Sequence, residues 1–114
     1  MTRIEELLKN RSHIWFWVEA EEREAFCREL STAGFCFMNG TPLSPSHLRP
    51  GGVGVSRNKT VGHVSNLIWY KSFSSPHPPL KIRYSRFARG EEDFLITAPN
   101  IQPIPPNELT GGRL

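Results

Sequence analysis

The run Ile14-Trp15-Phe16-Trp17-Val18 sets the tightest limit on how this chain can fold. Consecutive β-branched and aromatic residues suit a strand. Successive side chains of a strand point to opposite faces, so an uninterrupted apolar run has to be covered on both. Left open, it would expose a large apolar patch to water. Trp15, Phe16 and Trp17 therefore belong in a core or in a subunit contact, and homo-oligomerisation, for example as a two-fold dimer, is one way to cover them.

The other elements follow from pattern and punctuation. Thr2-Arg3-Ile4-Glu5 reads as a capping box, and the stripe Ile4, Leu7, Leu8 predicts a short helix over residues 3 to 10. A second helix is predicted over 21 to 33, where Ala25, Phe26, Leu30 and Ala33 recur at spacings of three and four; Gly34 suits its left-handed end. Phe35 to Met38 reads as a strand, ended by the turn pair Asn39-Gly40. Three prolines and two glycines make residues 41 to 52 a long loop. Residues 53 to 56 and 60 to 64 flank Arg57-Asn58-Lys59 as a hairpin with a basic tip. Residues 66 to 73 read as another strand, with Leu67, Trp69, Lys71 and Phe73 on one side. After a break at 74 to 79, Leu80 to Tyr84 is predicted as a strand, while Ser85 to Arg89 is an alternative start of a short helix. Phe94 to Thr97 is a weak final strand.

This order predicts an α+β fold, with one or two helices packed on a mostly antiparallel sheet and a β-α-β start followed by β-hairpins. A chain of 114 residues has room for one domain, placed at 1 to 97, with 98 to 114 a Pro/Gly-rich C-terminal tail. No stretch approaches the roughly 18 apolar residues of a membrane helix, so no membrane partner is expected. The charges at Arg3, Glu5, Glu6 and Lys9 leave no apolar signal core. Cys27 and Cys36 fit neither a zinc site nor a disulfide framework. A reduced, cytoplasmic setting is the simpler expectation.

Charge is distributed unevenly. Residues 1 to 30 carry a net −2 and residues 91 to 114 a net −3, whereas residues 31 to 90 hold eight cations and no carboxylate. The cations are Arg49, Arg57, Lys59, Lys71, Lys81, Arg83, Arg86 and Arg89. Two readings stay open. Either the middle of the chain presents a positive surface that attracts anions, or acidic side chains from the two ends pair with these cations.

No catalytic constellation is visible, and the expected class is not an enzyme. His13, His47, His63 and His77 form no pair at metal-ligand spacing, and no H-E-x-x-H or C-x-x-C element occurs. No cofactor is expected. Cys27 sits beside Phe26 on the apolar side of a predicted helix, which suits a core thiol better than a nucleophile. Glu91, Glu92 and Asp93 cluster as a solvated turn would.

Two segments suggest ligand binding. Gly51-Gly52-Val53-Gly54 lies between Arg49 and Arg57; amides in a glycine-rich turn can cradle an anion, although an ordinary loop explains the same residues. The stretch 81 to 89 interleaves cations and rings, with Lys81 and Arg83 on one face of a strand and Ile82 and Tyr84 on the other. Trp69, Tyr70 and Lys71 repeat that chemistry. Cations beside aromatic planes are what a nucleobase with phosphates needs, and they are also what an aggregation-resistant strand edge carries. The candidate ligand-binding set is Arg49, Arg57, Lys59, Trp69, Tyr70, Lys71, Lys81, Arg83, Tyr84 and Arg86.

Ile14 to Val18 with the following helix and Ala33-Gly34-Phe35, then Val61-Gly62-His63-Val64-Ser65 with Trp69 to Phe73, then Arg83-Tyr84-Ser85-Arg86-Phe87 with Gly90-Glu91-Glu92, resemble a group of small accessory proteins of Firmicutes phages and prophages. The resemblance spans residues 13 to 96. It implies counter-defence in the host-cell cytoplasm and supplies no catalytic residues. The favoured expectation is an oligomeric sponge that captures a nucleotide immune signal or other phosphorylated anion. The alternatives are an inhibitor that binds a host defence protein, such as a CRISPR effector, and a non-specific nucleic-acid binder.

Overall fold

The computed structural model describes residues 3 to 98. The capping residue expected at Thr2 and the tail beyond Ala98 lie outside the described residues. Helix α1, Arg3–Leu7, runs on through a 3-10 turn, Leu8–Asn10, into strand β1, His13–Val18. Helix α2, Arg23–Thr32, follows a 3-10 turn at Ala20–Glu22 and leads to the short strand β2, Cys36–Phe37. Gly34, at φ +91°, closes α2 as expected: its amide donates to the Ser31 carbonyl and the Phe35 amide to the Leu30 carbonyl, both at 3.0 Å. Strands β3, Gly51–Ser56, and β4, Thr60–His63, form the hairpin. Helix α3, Asn66–Ser72, strand β5, Lys81–Arg83, and helix α4, Tyr84–Ala88, complete the order.

The class is α+β, and the five strands form one sheet in the order β2-β4-β3-β1-β5. It is a mixed sheet. The pairs β1–β3 and β3–β4 are antiparallel; β1–β5 and β2–β4 are parallel. Strands β1 and β2 are not neighbours, because the hairpin lies between them. The segment 94 to 97 is not a full strand: Leu95 bridges Ile82, and the Arg83 and Ile96 amides donate across to Phe94 and Lys81 carbonyls.

Register separates the two faces of the sheet. Ile14, Phe16 and Val18 share one face with Val53, Val55, Val61 and Ile82, and all are buried. Helices α1, α2 and α4 cover that face with Ile4, Leu8, Phe26, Leu30, Tyr84 and Phe87. The Phe16 ring lies edge-on to Phe26, Tyr84 and Phe87, with centroids 5.5 to 6.0 Å apart. Such edge-to-face packing adds to the burial of apolar area.

Trp15 and Trp17 occupy the opposite face, level with Gly54 and Gly52 of β3 and with Lys81 and Arg83 of β5. One element covers it. Residues 66 to 73, expected as a strand, are helical from Asn66 to Ser72. The Ser65 hydroxyl caps the helix by accepting from the Ile68 amide at 3.2 Å. Aromatic and β-branched content made the segment read as a strand, but that preference is weak beside a cap and a face needing cover. Helical spacing turns Trp69 and Ser72 inward and leaves Leu67, Ile68 and Tyr70 outside. The Trp69 ring stacks on Trp15 at 5.9 Å and meets Trp17 edge-on at 5.3 Å. The central apolar run is thus covered on both faces within one chain.

Candidate functional site

Lys59 lies at the hairpin tip with φ +71°; its Nζ contacts a Glu5 carboxylate oxygen at 2.8 Å and the Ala33 carbonyl at 2.6 Å. Arg83 pairs with Glu19 at 2.8 Å, and both side chains are largely buried. Arg86 pairs with Asp93 and Glu91, and Arg89 with Glu91. Arg57 donates to the Lys9 carbonyl. Carboxylates from the two ends of the chain therefore neutralise Lys59, Arg83, Arg86 and Arg89. Arg49 and Lys71 stay exposed, with no ion pair among the described residues. They sit on different elements, Arg49 in the long loop and Lys71 on α3.

Two of the expected ligand-facing rings are interior. Trp69 is buried between Trp15 and Trp17. Tyr84 is buried on the other face, and its hydroxyl donates to Glu29 at 2.7 Å. Burial, then that hydrogen bond and the Glu29 charge, push the phenol well above its ordinary range. Tyr70 alone of the three is exposed. The glycine-rich element is also not a turn: Gly51 to Gly54 lie inside β3, paired with β1. Gly52 makes room for a ring, since a Cβ there would come within 3.0 Å of Trp69. Neither the ordinary loop nor the amide cradle considered there forms, because strand pairing fixes the Gly51 and Gly52 backbone against Val18 and Trp17.

Lys81 is different. It is 3% exposed and has no carboxylate partner among the described residues. Its position in β5, beside Trp15 and alternating with the core residue Ile82, drives the side chain under the tryptophan face. Its ammonium lies 4.3 Å from the Phe73 ring centroid and 5.6 Å from Trp15, and donates to the Pro79 carbonyl at 3.2 Å. Two rings and one carbonyl offset only part of what a buried cation loses on leaving water. Burial accordingly lowers the Lys81 pKa below the ordinary lysine value.

Lys81 is among the residues lining a cleft of about 320 Å³, at the small end of the usual ligand-pocket range. Phe73, Pro79, Leu80, Leu95 and Ile96 form its apolar wall, and Thr97 adds a hydroxyl. Of the residues expected from sequence to bind a ligand, only Lys81 lines it. The wall residues carry no charge and so escaped a reading built on cations. The readable signal was the alternation that places Lys81 opposite Ile82, together with the Pro78-Pro79 break that shapes the rim.

A wider open groove of about 550 Å³ runs along β4, lined among others by Phe37, Met38, His47 and His63. His63 stacks on Phe37, and its Nε2 accepts from the Arg49 amide at 3.0 Å. Burial and then the Arg49 charge lower the His63 pKa. Among the described residues, no group of three or more His, Cys, Asp or Glu is placed to hold a metal, and no helix is long and apolar enough to cross a membrane. The Cys27 thiol is buried and its pKa raised by that burial, opposite to what a nucleophile needs.

No protein-family model, curated protein or solved structure matches this chain.

Proposed function

We propose that this chain is a binding module that captures a small anion, with Lys81 as the charge partner and the Phe73–Ile96 cleft as the receptor. One observation carries the reading: Lys81 is a buried lysine with no carboxylate partner among the described residues, and it lines a cleft. A charge of this kind is costly alone, and an anionic partner recovers part of that cost. Displaced pKa values beside a cleft are a recognised mark of binding sites. The nucleotide immune signal suggested by the phage-protein resemblance is one ligand in this class.

The test is a thermal-shift panel of nucleotides, inorganic phosphate and carboxylates on the purified protein, repeated on Lys81→Met. A ligand at 100 times its dissociation constant should add about 2.7 kcal/mol to stability. Lys81→Met should abolish that shift without lowering the melting point of the free protein, because replacing a buried uncompensated charge by an apolar group is often neutral or stabilising. A panel that leaves the melting point unmoved removes the reading.

A second reading, docking to another protein, is favoured by α3. Its outward residues Leu67, Ile68 and Tyr70 are 64, 55 and 43% exposed, and Lys71 is the one charge on the helix. Helices with apolar residues on every side are normally covered. An apolar partner surface carrying carboxylates would complement this face, the arrangement expected of an inhibitor bound to an acidic patch of its target. Ile68→Glu should abolish such an association while leaving the anion-induced thermal shift intact.

A further inference from the structure

Building on the Lys81 reading, we infer that the ligand is an amphiphilic monocarboxylate: one carboxylate head held by Lys81 and an apolar body lying along Phe73, Pro79, Leu80, Leu95 and Ile96. Among the described residues, the side chains lining the cleft offer few polar groups. Its lining side chains supply the Lys81 ammonium and the Thr97 hydroxyl; the other six are aromatic, aliphatic or proline.

A polyphosphate needs several converging cations or backbone amides. The nearest cation along β5, Arg83, is already paired with Glu19 and is not among the lining residues. A nucleobase is read through hydrogen bonds to its edge as well as by stacking. With one hydroxyl available, such an edge would be buried largely unpaired, at a cost of roughly 1 to 3 kcal/mol for each group. A phosphate monoester brings up to two negative charges into a site with one cation, and the surplus charge would have to leave water uncompensated. A carboxylate brings one. It can accept from the ammonium while its apolar body displaces water from the wall, which favours binding by about 25 cal/mol for each Å² of apolar surface covered.

Decanoate, kept below its micellar concentration, is the probe, and decanol is the same body without the charge. Both are titrated into the full chain by thermal shift and calorimetry, beside adenosine monophosphate and inorganic phosphate. The expected result is a saturable rise in melting temperature with decanoate and none with the other three. Lys81→Met should weaken decanoate binding by about tenfold or more, the scale of a lost charge-assisted contact. Leu95→Trp, a substitution at an exposed wall residue that narrows the cleft, should also abolish binding while the free protein keeps its melting point. It serves as the check if Lys81→Met fails to fold.

Equal stabilisation by decanol and decanoate would overturn the role of the charge. A shift with adenosine monophosphate or phosphate but not decanoate would overturn the carboxylate assignment and leave the anion-capture reading standing. No shift with any anion would end both.

Discussion

The indole of Trp69 rests on the bare backbone of Gly52, where a Cβ would come within 3.0 Å of its Cε3 atom and 2.9 Å of the Val64 carbonyl oxygen. This contact lets one helix cover the second face of the sheet. It places three indoles in a small separate core, apart from the larger cluster around Phe16.

Gly52→Ala should therefore destabilise the fold by about 1 to 3 kcal/mol, through overpacking rather than through loss of any contact. The backbone oxygen cannot yield as a side-chain tip would. Urea denaturation followed by tryptophan fluorescence would measure it. A loss well below that range would mean that α3 lifts to make room.

Trp69→Ala should cost about 3 to 5 kcal/mol, the usual penalty for emptying a large aromatic site. Trp69→Phe should cost distinctly less, because the Trp69 Nε1 has no hydrogen-bond partner among the described residues and its removal orphans no acceptor. Equal losses for the two variants would show that the indole nitrogen has a partner after all.

The pair Arg83–Glu19 joins β5 to the turn after β1, with side chains 14 and 26% exposed. A double-mutant cycle with Arg83→Gln and Glu19→Gln should give a coupling of about 1 to 2 kcal/mol, above the usual 0.2 to 1 of exposed pairs. The exposed helix pair Glu24–Arg28 should give less than about 0.5 kcal/mol. A vanishing Arg83–Glu19 coupling would mean that this ion pair contributes nothing to the fold's stability.

His63 ties the long loop to β4 by accepting from the Arg49 amide. Its folded pKa is lowered by partial desolvation of this largely exposed ring and then by Arg49, so the unfolded chain binds the proton more readily. Stability from this group is therefore present above the ordinary histidine value of about 6.5 and is lost as pH falls below it. His63→Gln should flatten that part of the curve, visible as a smaller drop in melting temperature between about pH 7.5 and 5. A curve unchanged by the substitution would exclude His63 as its source.

Several features were legible in the chain. Gly34 marked the end of α2, since only a residue without a Cβ takes that φ without strain. The hairpin around Arg57-Asn58-Lys59 and the alternation of Lys81 and Arg83 against Ile82 also followed directly from local pattern. Helix α3 did not. Its central Ile68, Trp69 and Tyr70 favour strand, and the Ser65 cap together with the uncovered face above Gly52 decides for a helix.

The same divide runs through the candidate site. Sequence placed eight cations in a carboxylate-free middle, and it determined which residue types could ever bind an anion. It could not say which charges would already be satisfied, because Glu5 and Glu19 lie far along the chain from Lys59 and Arg83 and reach them only in the folded sheet. Local periodicity is written in neighbouring residues, whereas electrostatic pairing depends on distance in space. Tertiary structure alone left Lys81 buried beside a cleft, with no counter-charge among the described residues.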